Sequence, residues 1–320
     1  MRQAWMAMNR RMAQLRCAGA AVGYTALGAA ALGGTALGCS DDPRVADADR
    51  VSSEVSIIDD MEDGTQYILS DDGRVGLWYT YNDMSPGGTQ EPSIGFPMYQ
   101  ARLPNGGQAS PEVPLRDCGG GVDAPFFANE ESCDFVARTA GTGQRGWGAG
   151  IGVDLNGEGG VKNPFDASEF GGIGFFVQGN VRGGRVRVNV QDVRTTPESA
   201  AAADRRAIGR CTDELTSRCN DHYGFVVTGV RADSWRWVSI PFYCLAAGAW
   251  GYPSYPGSAP AEENRLRRDA VVGVQFQIEG ADPTDTGMAG TVQPFDFAID
   301  NLAFLRNVND NSACPAPITN

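Results

Sequence analysis

The sequence predicts an all-β fold, an antiparallel β-sandwich of the jelly-roll kind, in one domain over residues 55–306. Three observations carry this. Glycine and proline are abundant, 42 and 18 of 320 residues, which suits many turns and short strands rather than long helices. Apolar and polar residues alternate with a period of two in segment after segment. Heptads and repeats of fixed period are absent. Nine or ten strand-like segments with turn-rich connections are the pattern of a sandwich.

Val55–Ile58 opens the domain as a strand, and Asp59-Asp60-Met61-Glu62-Asp63-Gly64 reads as strand end and turn. Gly76–Asp83 is a second strand, dense in aromatics. Residues 84–131 show no period and read as a long irregular loop. Strand signals return at Asp134–Thr139, at the glycine-rich Trp147–Leu155 and at Gly172–Gln178. Arg185–Val193 alternates most cleanly: Val186, Val188 and Val190 face one way, Arg187, Asn189 and Gln191 the other. A second long loop, Thr195–Tyr223, holds a short helix over Pro197–Ile208. Trp235–Phe242, Val271–Ile278 and Phe295–Leu305 complete the set. Acidic–apolar stretches at both ends of the domain place its first and last strands side by side.

The first 38 residues read as a targeting segment. Arg2, Arg10, Arg11 and Arg16 form a basic leader without acids, and Ala18–Leu37 is a weakly apolar run. Ala36-Leu37-Gly38-Cys39 resembles a bacterial lipoprotein signal, in which cleavage precedes a cysteine that takes a diacylglycerol. It departs from that pattern in carrying Ala36, not Leu, three places before Cys39. An ordinary signal peptide cut nearby and an uncleaved anchor are the other readings. Residues 39–54 are short and polar, a tether between lipid and domain. The expected location is the bacterial cell envelope, with membrane contact through the lipid alone.

The remaining cysteines fit export. Cys118, Cys133, Cys211, Cys219, Cys244 and Cys314 form an even set, which in an oxidising compartment implies disulfides. Cys118–Cys133 and Cys211–Cys219 are expected as local loop clasps. Cys244–Cys314 follows by elimination and ties down the tail, 307–320. A zinc site from Cys211, Cys219 and His222 is the alternative in a reducing compartment. His222, the single histidine, reads as structural.

The net charge of −13 excludes nucleic acid and anionic membrane surfaces as natural partners. Losing the leader's four arginines and no acids takes −13 to −17. Nucleophile-elbow, zincin, P-loop and dinucleotide motifs are all missing. Two carboxylates suffice for a glycosidase, but with 39 acids a pair can always be picked, so the pairing is uninformative. Sugar binding needs flat apolar surfaces beside amides and guanidinium groups. Trp78, Tyr79, Tyr81 and Trp237 offer the aromatics, and Arg187, Asn189, Gln191, Gln275 and Gln277 the polar groups. The bland alternative is a merely solvated sheet face. Asp60 and Glu62 are two apart, and Asp296 and Asp300 four apart, so each pair shares a strand face. On neighbouring end strands the four would converge on a hard cation such as calcium.

An ordered series of motifs adds a resemblance. It runs from the opening Ile58-Asp59-Asp60-Met61-Glu62-Asp63-Gly64, through Trp78-Tyr79-Thr80-Tyr81-Asn82-Asp83 and the block Asn163–Phe176, to the closing Phe295–Leu302. In this order they resemble galactose-binding-like jelly rolls, in particular family 11 carbohydrate-binding modules and the complex I intermediate-associated protein 30 superfamily. The resemblance covers roughly residues 55–306. It implies a β-sandwich, a structural calcium near the joined ends and glycan binding on the concave face, and no enzyme activity. The expected function is a non-catalytic, carbohydrate-binding envelope lipoprotein. An assembly lipoprotein that binds other envelope proteins, or less readily a glycan hydrolase, is the alternative.

Overall fold

In the computed structural model the described residues are 55–93, 98–100, 134–158, 161–197, 211, 219–248, 250–251, 265–280, 294–308 and 314–315. The chain divides into residues 1–42 and 43–320, and all described residues belong to the second unit. The leader, Cys39, the tether, the Cys118–Cys133 pairing and nearly all of the helix expected over Pro197–Ile208 lie outside the described residues.

Two antiparallel sheets make the fold. The larger has the order β12-β9-β14-β5-β3, where β12 is Arg236–Pro241, β9 Gly172–Asn180, β14 Phe295–Leu305, β5 Phe135–Thr142 and β3 Thr89–Glu91. Off this path β1 (Val55–Asp59) pairs with β14, and β4 (Met98–Gln100) with β5. The smaller sheet has the order β11-β10-β13-β6-β2: Tyr223–Val227, Val186–Asp192, Val271–Ile278, Ala149–Asp154 and Trp78–Asn82. A two-stranded ribbon, β7 (Gly157–Glu158) with β8 (Val161–Lys162), follows β6. The all-β sandwich is therefore the observed fold. Strands β3 and β4 lie within 84–131, read as loop, because three residues are too few to display alternation; β11, just past the second loop, is not among the strands read from the sequence.

Strand β14 organises the larger sheet. One edge pairs with β9. The other pairs first with β5, over Phe295–Ile299, and then with β1, over Leu302–Leu305. The changeover falls at a bulge between Asp300 and Ala303, with Asn301 at φ 50°. First and last strands are thus neighbours.

Inward-facing residues of both sheets form one core. Phe175 of β9 meets Phe276 of β13 edge-on at 4.9 Å, and Trp78 of β2 stacks on the same ring at 6.3 Å. Val186, Val188 and Val190 are fully buried there, as their alternation requires. Cys211 bonds to Cys219, and Cys244 to Cys314, the two pairings expected for these four cysteines.

A polar sheet face as the candidate ligand site

The smaller sheet turns its other face away from the core, and strand register orders that face into three rows. The first runs Tyr81, Gly150, Gln277, Arg187, Val226, and the second Tyr79, Gly152, Gln275, Asn189, Gly224. In the third, Asp154 and Gln191 flank Gly273. Tyr79, Tyr81, Arg187, Asn189, Gln191, Gln275 and Gln277 are therefore brought together.

Glycines make this face flat. A Cβ on Gly152 would lie 2.7 Å from the Tyr79 ring, and one on Gly150 would lie 2.8 Å from the Tyr81 hydroxyl. Both tyrosines thus lie across β6 toward β13. On the far side a Cβ on Gly224 would lie 2.6 Å from the Arg187 guanidinium. Large side chains from β2 and β10 fold over small residues on their neighbours.

Hydrogen bonds fix the polar groups. Arg187 donates through Nε to Asn189 Oδ1 (2.8 Å), and Asn189 donates to Gln277 Oε1 (3.0 Å). Gln277 in turn donates to the Trp147 carbonyl (2.7 Å). Gln275 and Lys162 both donate to the Tyr79 hydroxyl, each at 3.2 Å. Lys162 also pairs with Asp154 at 2.7 Å and sits 4.4 Å from the Tyr79 ring centroid. Burial works against the charge on Lys162. The Tyr79 hydroxyl and the Asp154 carboxylate outweigh it and hold the pKa above the ordinary lysine value.

At the third row Gln191 donates through Nε2 to His222 Nε2 (3.1 Å), so His222 carries its proton on Nδ1 and donates it to Thr195 Oγ1 (2.8 Å). Burial, helped by the charges of Lys162 and Arg187, pushes His222 down to about 3. It is a neutral, structural residue that orients Gln191.

Trp147 flanks the face. It is 51% exposed and stacks on Tyr81 with ring centroids 5.7 Å apart. Tyr81 in turn lies 6.1 Å from Tyr79, so the three rings form a run along one side. Two buried polar atoms on the face have no protein partner, the Tyr81 hydroxyl and Gln191 Oε1.

Two expected ligand residues belong elsewhere. Trp78 points into the core, 1% exposed, and donates its indole N–H to Asp59 Oδ2 at 2.6 Å. Alternation along β2 separates Trp78 from Tyr79 and Tyr81, and the Phe276 contact decides which side is inward. Trp237 lies on β12, in the larger sheet, edge-on to Phe176 at 5.1 Å and packed over Gly174. It covers the outer side of that sheet with Trp235.

The carboxylates expected to hold calcium do not gather. Strand β1 ends at Asp59, and Met61 has φ 63°, so the two-apart rule does not apply to Asp60 and Glu62. Asp60 accepts from the Glu62 amide and Glu62 from the Asp134 amide. Asp296 is held by the guanidinium of Arg138 through two bonds, 2.7 and 2.5 Å. Asp300 is fully buried at the β14 bulge. Among the described residues no three His, Cys, Asp or Glu side chains form a metal-binding group. The set does not fit a calcium ion, and no role is derived through one.

Sequence reasoning missed Trp147, Lys162 and Asp154. Trp147 stands just before the alternating glycines of β6, a signal that a flat surface begins there. Lys162 is the sole lysine of the chain, and its meaning emerges only from the β7–β8 ribbon that carries it back over Tyr79.

The chain is similar to carbohydrate-binding modules of families 11 and 30. The family 11 module of the cellulosomal cellulase Lic26A-Cel5E of Clostridium thermocellum aligns with 81% of this chain and 98% of its own, at 12% identity and a TM-score of 0.41. The same organism's family 11 module in complex with a β-1,3-1,4-mixed-linked tetrasaccharide aligns with 71% of this chain and 95% of its own, at 12% identity and 0.32. The family 30 module of the C. thermocellum cellulosomal cellulase Cel9D-Cel44B aligns over 55% and 77%, at 16% identity and 0.30. No protein-family model matches the chain, and no curated protein does.

Proposed function

We propose that the polar face of the smaller sheet binds carbohydrate without turning it over, and that the protein does so as an exported, lipid-anchored component of the bacterial cell envelope. The carrying observation is the face itself. Amides, a guanidinium and an ammonium are held in place by one another beside a run of three aromatic rings. This matches a sugar's hydroxyls and its C–H surfaces. A merely solvated face does not need its tyrosines pressed flat over glycines. Nor does it leave the Tyr81 hydroxyl and Gln191 Oε1 buried without partners, at about 1–3 kcal/mol each.

Binding without hydrolysis follows from the charges on the face. A glycosidase places two carboxyl groups on either side of the scissile bond. Here Asp154 is committed to Lys162, and Glu279, at the end of the face, lies 3.7 Å from Arg185.

A glycan panel on the full-length protein tests the reading, with the β-1,3-1,4-mixed-linked tetrasaccharide as one member. Trp147→Ala should weaken binding by roughly five- to tenfold, the size of one aromatic contact of about 1 kcal/mol. Because Trp147 is exposed, stability should move by no more than about 0.5 kcal/mol. A panel without hits, or a Trp147→Ala protein that binds as well as the parent, would sink the proposal.

A further inference from the structure

Arg187 differs from the other arginines packed into the described structure. Arg138 is held by Asp296, Arg194 by Asp192, and Arg74 by Ser56 and the Ile57 carbonyl, while Arg236 spends a terminal nitrogen on the Thr228 carbonyl. Arg187 makes one hydrogen bond, through Nε to Asn189, and no ion pair. Its two terminal nitrogens have no protein partner, and neither is sealed from solvent. The side chain is nonetheless fixed. Asn189 holds Nε from below, and the guanidinium packs over Gly224, where any Cβ would collide with it.

A guanidinium with one edge anchored and the other open is a planar fork for two anionic oxygens. Holding it still in advance removes the ordering cost that a flexible arginine would incur on binding. The surrounding charge points the same way. In the middle of the described face two cations, Lys162 and Arg187, stand against one carboxylate, Asp154, and His222 is neutral; at its rim Arg185 pairs with Glu279, and Asp83 is held by the Gly146 and Gly148 amides. The chain as a whole carries −13, yet the middle of this face holds one cation more than it holds carboxylates. At physiological ionic strength charges beyond about 8 Å are largely screened, so the local groups govern a ligand seated here.

Building on the carbohydrate reading above, we infer that the ligand is an anionic glycan, one whose carboxylate (uronate) or sulfate ester oxygens are received by the open edge of Arg187. Gln191 lies on the same strand face, buried, with Nε2 bonded to His222.

Calorimetric titration of the full-length protein tests this with pairs that differ in charge alone. One pair is trigalacturonate and its methyl ester; the other is a sulfated galactan oligosaccharide and its desulfated form. The charged member of at least one pair should bind tenfold or more tightly, and that preference should shrink as salt rises from 0.05 to 0.5 M. Which pair responds identifies carboxylate or sulfate. Arg187→Gln should abolish the preference, weakening the charged member of the responding pair at least tenfold more than its neutral counterpart. Arg187→Lys, which keeps the charge but not the fork, should restore part of it. Equal affinity within both pairs overturns the inference, and so does an Arg187→Gln protein that weakens charged and neutral ligands alike. In either case measurable neutral binding leaves the carbohydrate reading standing. No binding to any of the four overturns the inference, and together with an empty glycan panel it overturns the carbohydrate reading too.

Discussion

Two buried titratable residues act in opposite directions on stability. Burial raises Asp59 from 3.8 to about 7, despite the bonds it accepts from Trp78 and the Met61 amide. Between those values the folded protein holds a proton that the unfolded chain releases. The Asp59 contribution is therefore complete below pH 3.8 and is lost as pH rises through 7. His222 is lowered from 6.5 to about 3, so its contribution is complete above pH 6.5 and is lost as pH falls toward 3. Each changes stability by about 1.4 kcal/mol per pH unit across its own window. From pH 4 to 6.5 the two largely cancel. Asp59→Asn should therefore expose a stability that falls with acid across this interval, and His222→Gln one that rises, both read by urea unfolding against the wild type. Parallel profiles for all three proteins would show that these groups are not buried as described. Neither effect is legible in the sequence. Asp59 is one of six acids within residues 59–72, and only pairing with β14 separates it from Asp60.

Strand β6 shows how an element carries function through what it lacks. Gly150 and Gly152 leave the space in which Tyr81 and Tyr79 lie flat. Gly152→Ala should lift the Tyr79 ring off the sheet and break its bonds from Lys162 and Gln275. Glycan affinity should then fall at least tenfold, while the strain costs only about 1–3 kcal/mol of folding stability. An unchanged affinity by titration would mean that the Tyr79 position is irrelevant to binding. The alternation of glycines was visible from the start, but its purpose depends on the register that places Tyr79 and Gln275 beside Gly152. Strand β10 was more transparent. Its valines are buried and its Arg187, Asn189 and Gln191 share the other face, because seven residues of strict alternation leave no other arrangement. Strand β2 was read only halfway. Its two faces were clear, but not that Trp78 is inward, since a tryptophan suits either side.

For the molecule as a whole, the two observed disulfides close loops of very different length, 8 and 70 residues apart in sequence. If their main effect is on the unfolded chain, Cys244→Ser/Cys314→Ser should cost about 4 kcal/mol and Cys211→Ser/Cys219→Ser about 2.5 kcal/mol. Denaturant unfolding that shows the larger loss for the shorter loop would refute this ordering. The sequence by itself determined the fold class, the alternating strand faces and an even cysteine set that implies disulfides, whose pairing the structure then gave. All of these follow from local periodicity, turn composition and the count of an even set. Only the tertiary structure decided which faces look at each other. Strand order carried Trp237 into the other sheet, a backbone turn at Met61 scattered the carboxylates of the joined ends, and Arg138 took Asp296. Trp237 pairs with Phe176 across 61 positions (237 − 176), and Arg138 meets Asp296 across 158, contacts that no local pattern encodes. The same long-range pairing set Tyr79, Arg187 and Gln275, which the sequence had already singled out, on one surface and brought Lys162 to them.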